Sequence, residues 1–182
     1  MDAKKISSEE LLKGCLKGDR KYQKALFDLY SPRILAVCMR YAAGRDAAYD
    51  ILQDTFIKVF ERIESYKNEG SLEGWIRKIC VNTALDHIRR NRMDKFTDDV
   101  DDVKYKLSSN ESAIDEMLAE DLMEILQSIP VGYRTVFNMY VIDGYTHKEI
   151  AEQLNITEST SKSQFSRARA MLQKIITEKQ LL

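Results

Sequence analysis

Residues 145–174, YTHKEIAEQLNITESTSKSQFSRARAMLQK, hold two amphipathic runs with only Asn155-Ile156-Thr157 between them. So short a break forces two helices to pack on each other directly. At about 100° per residue, Phe165, Ala168, Leu172 and Ile175 share one side of the longer run. That side is expected to pack on Ile150, Ala151 and Leu154 of the shorter one. The opposite side carries Ser159, Thr160, Ser163, Ser166, Arg167, Ala170 and Lys174. Most of these are small, so the helix can enter a groove and its cations can reach phosphates and base edges. Asn155 tolerates the left-handed backbone that the turn requires. The pattern predicts a helix-turn-helix whose longer helix reads DNA. Ser161 falls on the buried side, where a hydroxyl without a partner costs on the order of 1 kcal/mol or more.

The rest of the chain is punctuated for helices too. Seven Gly and two Pro in 182 residues argue against a turn-rich β fold, and the fold class is predicted all-α. Ser7 and Glu10 have capping-box spacing, Ile6 and Leu11 fit a hydrophobic staple, and Gly18-Asp19 ends that first helix. The next runs from Arg20 to about Ala42, with a kink or a restart capped by Ser31 expected at Pro32. After Gly44-Arg45-Asp46 a helix over 46–65 follows, then a loop over Tyr66–Gly70, then a helix capped by Ser71 that reaches about Met93. Helical pattern resumes at Ala113, stops at Ile129-Pro130, and runs again from Val131 to Ile142. The expected organisation is two small helical domains, 1–94 and 113–182, joined by an acidic flexible linker over 95–112.

A net charge of −1 hides strong segregation. Residues 77–95 carry six cations against two carboxylates, 6 − 2 = +4, and residues 162–179 carry five against one, 5 − 1 = +4. Residues 97–125 carry ten carboxylates against Lys104 and Lys106, 2 − 10 = −8. Two basic segments flanking an acidic one suit a chain that meets nucleic acid at two places. No apolar run is long enough to insert directly into a membrane, and the N-terminus lacks the apolar core of a signal peptide. Cys15, Cys38 and Cys80 are widely spaced and read as buried thiols in a reducing cytoplasm. No Gly-rich phosphate loop, metal-ligand cluster or carboxylate–histidine arrangement points to an enzyme or to a cofactor.

The N-terminal half adds two further faces. Trp75, Lys78, Asn82, Asp86 and Arg89 share one side of the helix 71–93, opposite Cys80, Ala84 and Ile88. With Tyr66 and Lys67 in the preceding loop, this resembles a platform for single-stranded nucleic acid: aromatics stack on bases and cations follow the backbone. On the helix 46–65, Leu52, Phe56, Val59, Phe60 and Ile63 form the buried side. Asp50, Gln53, Asp54 and Glu61 form the polar one, with Ile57 among them. An exposed isoleucine framed by carboxylates suits a docking face for a basic protein partner.

The run DILQDTFIKVFERIESYKNEGSLEGWIRKICVNTALDHIRRNR resembles region 2 of bacterial RNA polymerase sigma factors, and ILQSIPVGYRTVFNMYVIDGYTHKEIAEQLNITESTSKSQFSRARAMLQK resembles region 4. With only these two regions and a short linker, the chain is similar to the extracytoplasmic-function (ECF) group. The resemblance implies a transcription initiation factor that gives core polymerase its promoter specificity through −35 and −10 elements and promotes strand opening. It implies that Asp50, Gln53, Asp54, Ile57 and Glu61 dock on the β′ clamp helices of the polymerase core. It implies that Tyr66, Lys67, Trp75, Lys78, Asn82 and Arg89 hold the melted −10 strand. It also implies that Ser159, Thr160, Lys162, Ser163, Gln164, Ser166, Arg167 and Lys174 meet the −35 major groove. The partners are then core polymerase (β′ clamp helices and β flap), promoter DNA in double- and single-stranded form, and an anti-sigma factor. The acidic linker would thread the polymerase channels. The chain departs from the family at Ser161, where Val is common, and at Gln164, where Arg is frequent. A second reading is a helix-turn-helix regulator that binds duplex DNA without joining polymerase; such a protein has no need of the Trp75–Asn82 face.

Overall fold

The structure, a computed structural model, describes residues 7–93 and 114–178. The acidic segment 95–112, like Ile6, Lys95 and Lys179, lies outside the described residues. All regular elements among those described are helical: α1 (Ser8–Leu16), α2 (Arg20–Tyr41), α3 (Arg45–Arg62), α4 (Leu72–Met93), α5 (Ile114–Ser128), α6 (Val131–Phe137), α7 (His147–Leu154) and α8 (Glu158–Glu178). A 3₁₀ turn, Ile63–Ser65, extends α3, and a π-helical turn, Asn138–Ile142, extends α6. The chain divides into two compact units, Met1–Ile88 and Arg89–Leu182.

In the first unit, Ser7 caps α1 by accepting the Glu10 N–H at 3.2 Å, and Asp19 caps α2 by accepting from Lys21 at 2.9 Å. Helix α2 passes through Pro32 as one element, with no restart at Ser31. Pro32 and Asp28 both lie on the exposed side, so the carbonyl that Pro32 cannot bond meets water. Leu26, Ile34 and Cys38 of α2, Ile51, Phe56 and Val59 of α3, and Ile76, Cys80 and Leu85 of α4 are buried. The Phe27 and Phe56 rings meet edge to face at 4.7 Å. Ile51, Ala48 and Thr55 join the buried side expected for α3, while Phe60 is only half-buried.

The α1–α2 corner is packed without slack. A Cβ on Gly14 would lie 2.1 Å from Cγ of Tyr22, far inside contact distance. Gly14→Ala is expected to destabilise the first unit by about 1–3 kcal/mol, the usual cost of overpacking. A urea titration followed by circular dichroism would show the loss as a lower midpoint for the transition that exposes Cys15 to alkylation. An unchanged midpoint would mean that the ring swings aside freely.

In the second unit, Ile125 of α5 and Ile129, just past its end, bury against Ala168 and Leu172 of α8, with Leu126, Tyr133, Phe137, Met171, Ile175 and Ile176 packed around them. This corrects the expected partner of the α8 apolar side. Eight-residue α7 is about 12 Å long and cannot cover a 21-residue helix. Its Ile150 and Leu154 are buried, but the second half of α8 lies on α5 and α6. The run 131–142 is not one uniform α-helix either. Asp143 N–H bonds the Asn138 carbonyl five residues back at 3.0 Å, and Tyr145 N–H reaches the Met139 carbonyl at 2.9 Å. That extra residue re-phases the helix end: Asn138 and Met139 are buried, whereas Tyr140, Val141 and Ile142 are 41%, 53% and 38% exposed.

Candidate nucleic-acid and docking interfaces

The turn between α7 and α8 is built by a few backbone bonds. Asn155 adopts φ 53°, ψ 49°, and the Ala151 carbonyl accepts both the Asn155 N–H and, at 3.0 Å, the Ile156 N–H. At the start of α7, Thr146 Oγ1 accepts the Glu149 N–H at 3.2 Å, and the Glu149 carboxylate accepts the Thr146 N–H at 2.8 Å. That backbone bond, followed by the one from the Thr146 hydroxyl, holds the Glu149 carboxyl below its ordinary range. Thr157 Oγ1 caps α8 by accepting the Thr160 N–H at 3.1 Å and lies 2.8 Å from the hydroxyls of both Ser159 and Thr160. Helix α8 therefore begins on a mesh of short hydroxyl side chains.

Ser159, Lys162, Ser163, Ser166, Arg167 and Lys174 are exposed on α8. Thr160 and Gln164 are half-buried, and Gln164 Oε1 is buried with no hydrogen-bond partner. Lys162 pairs with Glu158 at 2.7 Å and Lys174 with Glu178 at 3.8 Å, one helical turn away in each case. Exposed pairs of this kind add little stability and exchange easily for a phosphate. Arg167 is held differently: it donates to the Tyr133 hydroxyl at 3.1 Å and sits 5.9 Å from that ring's centroid. Sequence reasoning missed Tyr133, which lies 34 residues away with no local pattern to tie it to Arg167.

The buried Ser161 hydroxyl has a partner, His147 Nδ1 at 2.9 Å. His147 is itself stacked on Tyr140 at 4.3 Å, and Phe165 completes the group at 4.8 Å from Tyr140 and 5.8 Å from His147. The bond ties the first turn of α7 to the first turns of α8. Ser161→Ala is expected to lower the stability of the second unit by about 1 kcal/mol. Thermal unfolding of the variant would show it; an unchanged midpoint would mean that His147 finds water as good a partner. Arg134, also missed, is buried, and burial pushes its guanidinium down to about 10. It donates to the Gln127 carbonyl at 3.1 Å, joining α6 to the end of α5.

In the first unit, Ser71 Oγ accepts the Gly74 N–H at 3.1 Å, as a cap for α4 should. The loop before it is closed by Tyr66, whose hydroxyl donates to the Gly70 carbonyl at 2.8 Å, with Asn68 and Gly70 at positive φ. Trp75 is half-buried, its ring 5.4 Å from that of Tyr66. Lys67, Lys78 and Asn82 are exposed, as is Arg89 further along α4, where the second unit begins. On α3, Asp50, Gln53 and Glu61 are exposed, and Ile57 is 55% exposed among them. Asp54 is half-buried: its Oδ2 lies 2.7 Å from His87 Nε2 of α4. Lys58 reaches Asp86 at 3.2 Å beside it, so two polar pairs clasp α3 to α4. Among the described residues no group of three or more His, Cys, Asp or Glu could hold a metal ion, and no helix is long and apolar enough to cross a membrane.

Two family models match the chain in order: Sigma-70 region 2 over residues 26–93 and Sigma-70, region 4 over residues 119–172. The sequence is 26% identical over 182 residues to the ECF RNA polymerase sigma-E factor of Haemophilus influenzae, covering 94% of this chain and 96% of that protein. It is 31% identical over 147 residues to the ECF RNA polymerase sigma factor SigE of Mycolicibacterium smegmatis, covering 79% of this chain and 57% of that protein. In three dimensions it is similar to the sigma factor RpoE solved in complex with the anti-sigma factor NepR from Bartonella quintana. That match has a TM-score of 0.52 at 23% identity and covers 85% of this chain and 96% of the other.

Proposed function

The chain belongs to the sigma-70 family, in its extracytoplasmic-function group, and from that premise we propose how its surfaces divide the work of starting transcription. The protein is a transcription initiation factor with no catalytic chemistry of its own: it binds RNA polymerase core and directs it to promoters. The observation that carries this reading is the presence of region 2 and region 4 on one chain, in that order. A duplex-binding regulator would account for the second region alone.

In the proposed division, region 4 comprises residues 113–182 and reads the −35 element with α8. Ser159, Thr160, Lys162, Ser163, Ser166 and Arg167 face the major groove, and Lys174 meets the backbone. Gln164 contributes less, because its side chain is half-buried. Region 2 comprises residues 1–94 and handles the −10 element. Tyr66 and Lys67 shape the loop that receives an unstacked base, while Trp75, Lys78, Asn82 and Arg89 hold the strand that leaves the duplex. The exposed Ile57, framed by Asp50, Gln53 and Glu61, supports docking of α3 on the β′ clamp helices. Asp54 takes part through its edge not facing His87. The apolar Tyr140–Ile142 face offers the β flap a seat on region 4. The acidic segment 95–112 bridges the two regions along the polymerase channels, its charge imitating nucleic acid. To reach polymerase the protein acts in the cytoplasm, and an anti-sigma factor holds it until the inducing signal arrives.

Run-off transcription tests the reading. Purified bacterial core polymerase, this protein and a template from upstream of its coding region are expected to give a discrete transcript that depends on the protein. Absence of both transcript and co-purification with core would overturn it in favour of the regulator.

A further inference from the structure

One pair of reactive groups has no part in promoter recognition. Cys38 of α2 and Cys80 of α4 place their sulfurs 3.4 Å apart, and both side chains are fully buried. All three cysteines are thiols, and Cys15 belongs to α1 instead. Ile34, Val37, Ile76 and Ala84 are buried on the same two helices, and the Ile34 carbonyl lies 4.0 Å from Cys80 Sγ. A disulfide needs its sulfurs about 2.05 Å apart, so closure requires each to move by less than about 1 Å.

We propose that Cys38 and Cys80 form an oxidation site that closes to an internal disulfide joining α2 to α4. With a peroxide as oxidant, the first thiol releases its proton, the thiolate attacks one peroxide oxygen, the O–O bond breaks, and sulfenic acid and hydroxide form, the hydroxide taking up that proton as water. The second thiolate then attacks the sulfenic sulfur, the S–S bond forms, and hydroxide leaves to take up the remaining proton as a second water. Two thiols lose two electrons and the peroxide gains them. The bond to Cys80, and then burial, push the Cys38 thiol well above its ordinary range, so the reaction waits for a local opening that admits water and oxidant. The site is therefore silent under ordinary conditions and responds to sustained oxidative load. In a reducing compartment the bond would be transient. Closure fixes α4 against α2 behind the face that carries Trp75, Lys78 and Asn82.

The test uses the full-length protein, reduced and then held with hydrogen peroxide or diamide, both without denaturant and in urea just below the unfolding transition. It is then quenched by unfolding in an alkylating agent. Tryptic mapping is expected to show peptide Ile34–Arg40 linked to Ile79–Arg89, lighter by two hydrogens than the separate peptides. Cys15 should be recovered alkylated. The oxidised protein should melt several degrees higher, because the bond restricts the unfolded chain. Cys15→Ser should leave the linked peptide in place, and Cys38→Ser should abolish it. Alkylation of both Cys38 and Cys80 after oxidation under both conditions overturns the proposal. So does a bond from Cys15 to either one.

Discussion

Replacement of Trp75 by alanine is expected to slow promoter opening by about tenfold to a hundredfold while core binding stays within about twofold. Loss of one base–aromatic stack costs about 1–3 kcal/mol, and each 1.4 kcal/mol is a factor of ten. The geometry explains why the effect should fall on opening. Trp75 is half-buried, with its ring against Tyr66 and part of its surface exposed. The α3 surface proposed for docking keeps its own cross-links, Asp54–His87 and Lys58–Asp86, whether or not the indole is present. Permanganate reactivity of −10 thymines would measure opening, and co-elution with core polymerase would measure docking. Trp75→Phe should recover most of the opening, because it keeps a stacking face. Equal losses in opening and in core binding would show that Trp75 is there to support α4, and the platform would have to be abandoned.

The second large effect is expected at Arg167. Arg167→Ala should weaken holoenzyme binding to a −35-containing promoter by about 1–3 kcal/mol if the guanidinium makes a bidentate base contact. Tyr133 holds that guanidinium in place before DNA arrives, through its hydroxyl at 3.1 Å and its ring. An arginine held in advance loses less side-chain freedom on binding. Tyr133→Phe keeps the ring, removes the hydroxyl, and should cost only a few-fold in affinity. Mobility-shift titrations over a range of salt separate the two kinds of contact. A base contact relaxes sequence preference, whereas a phosphate contact lowers the salt slope uniformly. Unchanged promoter affinity for Arg167→Ala would mean that another face of α8 enters the groove.

Local rules made much of this architecture legible. The Ser7 and Ser71 caps follow from hydroxyls at fixed offsets from backbone donors, and the Asn155 turn from the few residue types that accept positive φ. What escaped was set by partners distant in the chain. Ser161 stood out as a buried hydroxyl in need of a partner, but nothing in its surroundings pointed to His147, 14 residues back. The second half of α8 could not be assigned to α5 and α6 from its own wheel, because a wheel reports which side is apolar and not what covers it. The π-helical turn at Asn138–Ile142 is equally hidden: its apolar residues continue a helical pattern, and only the five-residue bond from Asp143 to Asn138 reveals the shift. Asp54 read only as a member of the exposed docking face, because its partner His87 sits on the next helix.

Trp75 is the chain's single tryptophan. Biosynthetic fluorotryptophan would therefore place one fluorine in the protein, at the junction of loop and helix proposed to receive the melted strand. Its resonance, read against unlabelled polymerase and unlabelled DNA, would follow that position through free protein, holoenzyme and open promoter. A chain with a second indole would give overlapping signals, whereas this one carries its own spectroscopic reporter.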